Sequence, residues 1–216
     1  MDRNLRSHWY LLLGCFAFIG FVIYGASLGN SFVRWDDGLL IYENPAIRGF
    51  SLANLKTIFT TYDPELYIPL TLLSYQFDFL LSGTNPAWYH FHSLILHILN
   101  ATLVVWVLKS LTKNIWVSLL TGVLFLIHPL HTEAIAWASG RKDLLSTLFF
   151  LLSTGFYLTK KKRMSLAAFT LGLLAKVTIV TLPITLLLID YYKGEGINKD
   201  TVKNKIPYFV LALLFA

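Results

Sequence analysis

Residues 9–28 read WYLLLGCFAFIGFVIYGASL and contain no charged side chain. A helix needs about 20 predominantly apolar residues to cross the hydrocarbon core of a bilayer, so this stretch is long enough for one crossing. The apolar run continues well beyond Cys15, whereas the core of a cleaved signal peptide is about 7–15 residues long. We therefore expect a retained membrane helix, with cleavage as the alternative.

The composition indicates several such helices. Of the 216 residues, 56% are hydrophobic and 14% are charged, and the mean hydropathy is +0.60. Average soluble chains are about 25% charged. The net charge of +6 does not indicate nucleic-acid binding, because the basic residues concentrate in loops between apolar runs. Cys15 is the single cysteine, so no intrachain disulfide can form.

We predict an all-α polytopic membrane protein whose orientation follows from its charges. Lysines and arginines flank the first, second and fourth apolar runs and fill the last polar loop, which places these loops and the N-terminus in the cytoplasm by the positive-inside rule. In chain order we expect spans at 9–28, 88–108, 115–133 and 144–159, a broken pair of half-helices over 165–192, and the start of a further span at 206–216.

Residues 29–87 then form a large first outer loop. Its charged residues are Asp36, Asp37, Glu43, Asp63, Glu65 and Asp78 against Arg34, Arg48 and Lys56. Ser51 is a suitable N-cap for a short amphipathic helix. Residues 67–81 are apolar on most faces but include Pro69 and Asp78, so we expect an interfacial helix rather than a span.

Three groups of ionisable residues lie at or near the expected membrane surface or midplane. Asp36-Asp37 is either the solvated start of a loop or a functional pair. Arg141-Lys142 lies outside, against the charge bias, which suggests an anionic partner such as a phosphate; the alternative is a snorkelling pair that anchors the fourth span. Lys176 interrupts an apolar run and is either functional or snorkelling.

Residues 128–133 read HPLHTE and place two imidazoles and a carboxylate at the outer end of the third span. Such groups can bind a metal, but the spacing differs from the HExxH pattern, and Pro129 disturbs the helix that would align them. We favour the lining of a polar cavity over a divalent metal site. His90 and His97 share a helix face, where packing or hydrogen bonding is the usual role.

Several motifs, in order, resemble a known family. Phe32-Val33-Arg34-Trp35-Asp36-Asp37 and the later stretch Glu43-Asn44-Pro45-Ala46-Ile47-Arg48 resemble the first luminal loop of GT-C type glycosyltransferases, most closely the O-mannosyltransferases that carry tetratricopeptide repeats after the membrane domain. The similarity continues through residues 67–71, 85–90, 128–137, 140–144, 175–176 and 182–183. The chain resembles the N-terminal part of such an enzyme, with a GT-C-like helical bundle.

The resemblance implies transfer of a hexose, such as mannose, from a polyprenyl-phosphate-linked donor to an acceptor hydroxyl on a protein or glycan, with inversion, outside the cytoplasm. It implies no nucleotide and no required cofactor. Asp36 or Asp37 would act on the acceptor as general base, and Arg141, Lys142 and Lys176 would bind the donor phosphate. The cavity lining would comprise Glu43, Arg48, His90, His128, His131 and Glu133.

Two positions differ from the pattern of many relatives, which have Arg where this chain has Ile68 and Glu where it has Val177.

The alternatives to an enzyme are a non-catalytic membrane scaffold that keeps the fold and a lipid or small-solute transporter with Lys176 at its midplane. From the short loops we expect a bacterial inner membrane rather than the endoplasmic reticulum.

Overall fold

The computed structural model describes residues 3–61 and 66–215, with side chains from His8 onward. Asp63 and Glu65, which we counted in the acidic outer loop, lie outside the described residues. The described part contains helices and no strand. The helices are α1 (Arg3–Tyr24), α2 (Leu52–Thr60), α3 (Pro69–Ser82), α4 (Pro86–Thr112), α5 (Ile115–Ile127), α6 (Thr132–Ala136), α7 (Arg141–Leu158), α8 (Lys162–Ala175), α9 (Leu182–Tyr192), α10 (Lys199–Lys203) and α11 (Ile206–Phe215).

Two stretches of helix in the described residues are long and apolar enough to cross a membrane. They are His8–Gly29 and Pro86–Thr112, and a bent pair, Ile115–Ile127 with Pro129–Ala136, makes a third if it is counted as one span. The predicted fold class, an all-α protein with membrane-spanning helices, is confirmed. The positions of the other crossings stay predictions.

Helix α4 is the centre of the bundle. It packs against α1, α5 and α7, and α7 in turn packs along α8. The contact between α4 and α7 is close because Gly155 presents no side chain, and a Cβ at that position would overlap the indole of Trp106. One apolar core forms between α1, α4 and α5 around Phe16, Ile98 and Leu126.

The polypeptide bends by 51° between α5 and the segment Pro129–Ala136. Helix α5 ends at Ile127, and a short 3-10 turn, Pro129–His131, follows. Proline has no backbone N–H to continue the helical hydrogen bonds, so the break falls where the sequence predicts it. The bend leads the chain back towards α7.

The segment 29–87, which we predict to be the first outer loop, has a core of its own. Leu40, Ile47, Ile58 and Tyr75 are fully buried there, together with Ile68 at one of the two positions that differ from many relatives. Ser51 caps α2 by accepting a hydrogen bond from the backbone N–H of Asn54. The loop is therefore a folded layer of short helices that packs on α4.

A second break separates α8 from α9. The backbone is extended at Lys176, and a 3-10 turn, Val177–Thr181, leads into α9. Phe169, Leu182, Leu186 and Tyr208 form a third apolar core that joins α8, α9 and α11. We propose that α8 and α9 are the half-helix pair expected over 165–192.

Candidate functional site

The first turn of α7 is the point at which the polar segments of the chain meet. Its first three residues, Arg141, Lys142 and Asp143, each form an ion pair with a different segment. The partners are Asp78 on α3, Asp36 in the first outer loop and Lys176 at the break after α8. Successive helical residues point about 100° apart, so one turn can hold three segments at once.

Lys142 joins α7 to Asp36. Its Nζ lies 2.7 Å from Oδ2 of Asp36, and the Asp36 side chain keeps 28% of its surface exposed. The same ammonium lies 5.1 Å from the ring centre of Trp137. Trp35, whose ring centre is 6.4 Å from that of Trp137, is 76% exposed. A solvent-accessible carboxylate thus lies beside a lysine and two indole rings.

Asp37 has a different environment from its neighbour. It is fully buried, and its Oδ2 accepts a hydrogen bond of 2.9 Å from the backbone N–H of Val33. Its Oδ1 accepts one of 2.9 Å from the backbone N–H of Ser139 and one of 2.5 Å from the Ser139 hydroxyl. Asp37 therefore ties the outer loop to the 3-10 turn that precedes α7.

That turn, Ala138–Gly140, packs tightly on the preceding helix. A Cβ at Gly140 would lie 2.9 Å from the Cα of Ala134 and 3.0 Å from its carbonyl oxygen, closer than a side chain tolerates. The hydroxyl of Tyr75 donates to the carbonyl of Ala138 at 3.1 Å. Burial raises the pKa of Tyr75 well above its usual range, so this hydroxyl stays protonated. The position of Ser139 is fixed from both sides.

Arg141 is buried and pairs with a different carboxylate from the one that Lys142 binds. Its Nη2 lies 2.5 Å from Oδ2 of Asp78 and donates to the carbonyl of Tyr89 at 2.7 Å. The guanidinium carbon is 4.9 Å from the ring centre of Tyr75. Asp78 is fully buried and also contacts Nδ1 of His92. Arg141 thus joins α3, α4 and α7, and its positive charge is balanced by the buried carboxylate of Asp78.

Lys176 is partly exposed and holds the third ion pair. Its Nζ lies 2.5 Å from Oδ1 of Asp143, whose side chain is 45% exposed. The pair lies where α8 ends and the chain becomes extended. A small cavity of about 140 Å³ between α7 and the following 3-10 turn is lined by Ser146, Thr147, Phe150 and Thr178, among others.

The other predicted residues take no part in these three ion pairs. Glu43 is exposed, and Arg48 donates to the carbonyl of Tyr42 at 2.9 Å. His90 is buried within α4. His128 is exposed and caps its 3-10 turn, while the ring of His131 packs on Phe125 at 4.3 Å. Glu133 is exposed at the start of α6.

No group of three or more histidine, cysteine or acidic side chains able to hold a metal ion is found among residues 3–61 and 66–215.

The sequence reasoning did not assign roles to Asp78, Ser139 and Asp143. A lone carboxylate in the otherwise apolar stretch 67–81 was a signal for Asp78, because charged residues are almost never fully buried without a partner.

The fold and the site define a class of protein: an all-α membrane protein with a site of paired carboxylates and lysines at one end of its bundle. Comparison with known proteins identifies similar sequences. The chain is 31% identical over 219 residues to protein O-mannosyl-transferase Tmtc2 of Drosophila melanogaster, covering 91% of this chain and 23% of the relative. It is 37% identical over 140 residues to protein O-mannosyl-transferase TMTC1 of Mus musculus, covering 60% of this chain and 15% of the relative. These matches confirm the resemblance: over most of its length the chain is similar to protein O-mannosyl-transferases.

The chain spans 23% or less of the length of these two relatives. No protein-family profile and no solved structure matches it. The named relatives are animal glycosyltransferases, and they give no support to our expectation of a bacterial membrane over the endoplasmic reticulum.

Proposed function

We propose that this chain carries the acceptor-activating residues of a protein O-mannosyltransferase. The enzyme would move a mannosyl group, or another hexose, from a polyprenyl-phosphate-linked donor to a hydroxyl of a protein on the extracytoplasmic side. The observation that carries this proposal is the difference between Asp36 and Asp37. Asp36 is accessible beside a lysine and an exposed indole, whereas all of Asp37 is buried in the protein.

In the proposed reaction Asp36 is the general base. Its carboxylate accepts the proton of the acceptor hydroxyl as that oxygen attacks the anomeric carbon of the sugar. The bond from the anomeric carbon to the phosphate oxygen breaks, and its electron pair leaves with the phosphate. A single displacement of this kind inverts the configuration at the anomeric carbon. General-base catalysis by a positioned side chain contributes about 10²–10⁴ in rate.

The leaving phosphate needs positive charge more than it needs a proton. Lys142 lies in the first turn of α7 and is 8% exposed, and Lys176 lies at the break after α8 and is 19% exposed. Each is held by a more exposed carboxylate, Asp36 or Asp143, that a phosphate could replace. The N-terminus of α7 adds a favourable partial charge. Arg141, which we expected to bind the phosphate, is instead proposed to position the first turn of α7 through Asp78.

The experiment compares Asp36→Asn and Asp37→Asn, made singly in the complete protein, for transfer of radiolabelled mannose from dolichyl-phosphate mannose to a protein acceptor. Asp36→Asn should lower kcat by about 10²–10⁴, since the amide cannot accept the proton, while its thermal unfolding stays unchanged. Asp37→Asn should lower thermal stability along with activity, because its role is to hold the outer loop.

Asp200→Asn is the matched control, since Asp200 is an exposed carboxylate on the predicted cytoplasmic side. It should transfer sugar at the normal rate. Normal kcat in the Asp36→Asn variant would exclude Asp36 as the base. A wild-type protein that binds the donor but transfers nothing would favour the scaffold.

A further inference from the structure

The predicted cytoplasmic end of the bundle holds a second polar cavity, far along α7 from Asp36. It has a volume of about 340 Å³ and lies between the end of α7, the end of α9 and the loop that leads to α10. Its lining includes Tyr157, Lys160, Lys162, Asp190, Lys193 and Glu195. Ligand-binding cavities begin at about 300 Å³, so the space suits a small polar group.

The buried side of this cavity is formed by Asp190 and its partners, whose charges cancel. Asp190 is 2% exposed, and the hydroxyl of Tyr157 donates its proton to this carboxylate, 2.7 Å from Oδ1 and 2.8 Å from Oδ2. The ammonium of Lys205, which is equally buried, forms an ion pair with the same carboxylate. The positive charge of Lys205 thus cancels the negative charge of Asp190, and neither is left to attract a ligand.

The rim of the cavity is positively charged. Lys160 and Lys193 are exposed, and within the described residues neither forms an ion pair with a carboxylate. Lys162 donates to the side-chain oxygen of Asn204 at 3.2 Å, which keeps its charge. Glu195 is the acidic residue that opposes these three lysines. Burial, and to a smaller extent the charge of Lys162, lowers the pKa of Lys205.

The residues around the rim are of the types found at the level of lipid headgroups. Tyr191 and Tyr192 end α9 beside Lys193, and each is 65% exposed. Tyrosine is enriched at the level of lipid headgroups. Lys160 and Lys162 belong to the basic run 160–163, which the positive-inside rule places against the cytoplasmic leaflet. Basic pockets between membrane helices on that side bind anionic headgroups.

We propose that this cavity binds the phosphate headgroup of an anionic phospholipid of the cytoplasmic leaflet. Lys160 and Lys193 hold the phosphate oxygens, and Tyr191 and Tyr192 lie at the level of the glycerol backbone. The lipid braces the α7–α8 turn against the loop after α9. This site is separate from the proposed transfer site and does not depend on sugar transfer.

The test measures binding of dioctanoyl phosphatidic acid to the complete protein in neutral detergent by native mass spectrometry. A lysine near an anionic lipid contributes about fivefold in binding, so the double variant Lys160→Ala/Lys193→Ala should weaken binding about 25-fold. The control, Lys199→Ala/Lys203→Ala, removes two exposed lysines of α10 that do not line the cavity, and it should change binding less than twofold. Lys160→Arg/Lys193→Arg keeps the charges and should retain binding.

Three results would overturn the proposal. Equal weakening by the two alanine double variants would show diffuse attraction to a basic loop instead of a site. Competition by inorganic phosphate at the same concentration as the lipid would show a site for free anions. Equal binding of dioctanoyl phosphatidylcholine would remove the headgroup phosphate monoester as the recognised group. If the alanine double variant fails to fold, the single Lys193→Gln variant tests the site, with about fivefold weaker binding expected.

Discussion

Ser139 donates both its backbone N–H and its hydroxyl to the same oxygen of Asp37. The two residues are 102 positions apart, so this contact closes the first outer loop onto the turn before α7. It also places Asp36, the preceding residue, beside Lys142. The two adjacent aspartates therefore have different roles: Asp37 holds the loop, and Asp36 presents a carboxylate to solvent.

We predict that Asp37→Ala lowers the free energy of unfolding by about 3 kcal/mol, because hydrogen bonds to a charged group contribute about 1.5–3 kcal/mol and the donors of Ser139 and Val33 would lose their partner. Denaturant unfolding in detergent measures this. Asp36→Ala is the matched control, with an expected loss of about 1 kcal/mol or less, as for partly exposed ion pairs. Equal losses in the two variants would contradict the division of roles.

A second prediction concerns the buried pair Arg141–Asp78. Removing one partner of a buried ion pair costs about 3–5 kcal/mol, whereas replacing both with apolar residues is often neutral. Arg141→Met and Asp78→Leu should each be strongly destabilised, and the double variant should be more stable than either. Unfolding of all three variants gives the coupling energy. Additive losses would show that the two side chains act independently.

The third prediction uses Lys176 and Asp143, which should affect donor binding in opposite directions. Lys176→Ala removes a proposed phosphate ligand and should raise the KM for dolichyl-phosphate mannose about tenfold, the equivalent of ~1.4 kcal/mol. Asp143→Asn frees the Lys176 ammonium from its competing carboxylate and should lower that KM. Steady-state kinetics with varied donor tests both. A higher KM in both variants would mean that the ion pair itself is needed to shape the site.

The fourth prediction tests the packing of α4 on α7. Gly155→Ala places a methyl group within the indole of Trp106, and overpacking of this kind costs about 1–3 kcal/mol. The variant should unfold at a lower temperature, and adding Trp106→Leu should restore part of the loss. Gly14→Ala is the control, because nothing lies within 4 Å of a Cβ at that position.

Much of the fold follows from local sequence. The uncharged run 9–28, Ser51 before α2, and Pro129 after α5 each act through nearby residues, so the sequence predicts α1, the cap of α2 and the break of the third span. The adjacent pair Asp36-Asp37 and the motif 140–144 were also visible, because only 14% of the residues in this chain are charged.

The pairing of these residues was not predictable from the sequence. Arg141 and Lys142 are consecutive cations of similar character, yet one meets the buried Asp78 and the other the accessible Asp36. The choice depends on which way each side chain leaves α7, and hence on where the helix begins. Helix α7 begins directly after Gly140, which packs tightly on Ala134 of α6, in the segment that follows the bend after α5.

The three ion pairs at the start of α7 also determine which changes of sequence this region can absorb. Inserting one residue between Gly140 and Arg141 would rotate the positions of Arg141, Lys142 and Asp143 on the helix by about 100°. Each of the three partners would then face a different side chain of α7, and Lys142, which pairs with Asp36, would face Asp78 or Lys176 instead. Substitutions here alter one connection, but a change of length by a single residue exchanges all three, so the spacing of this segment is a stricter requirement than the identity of any one of its side chains.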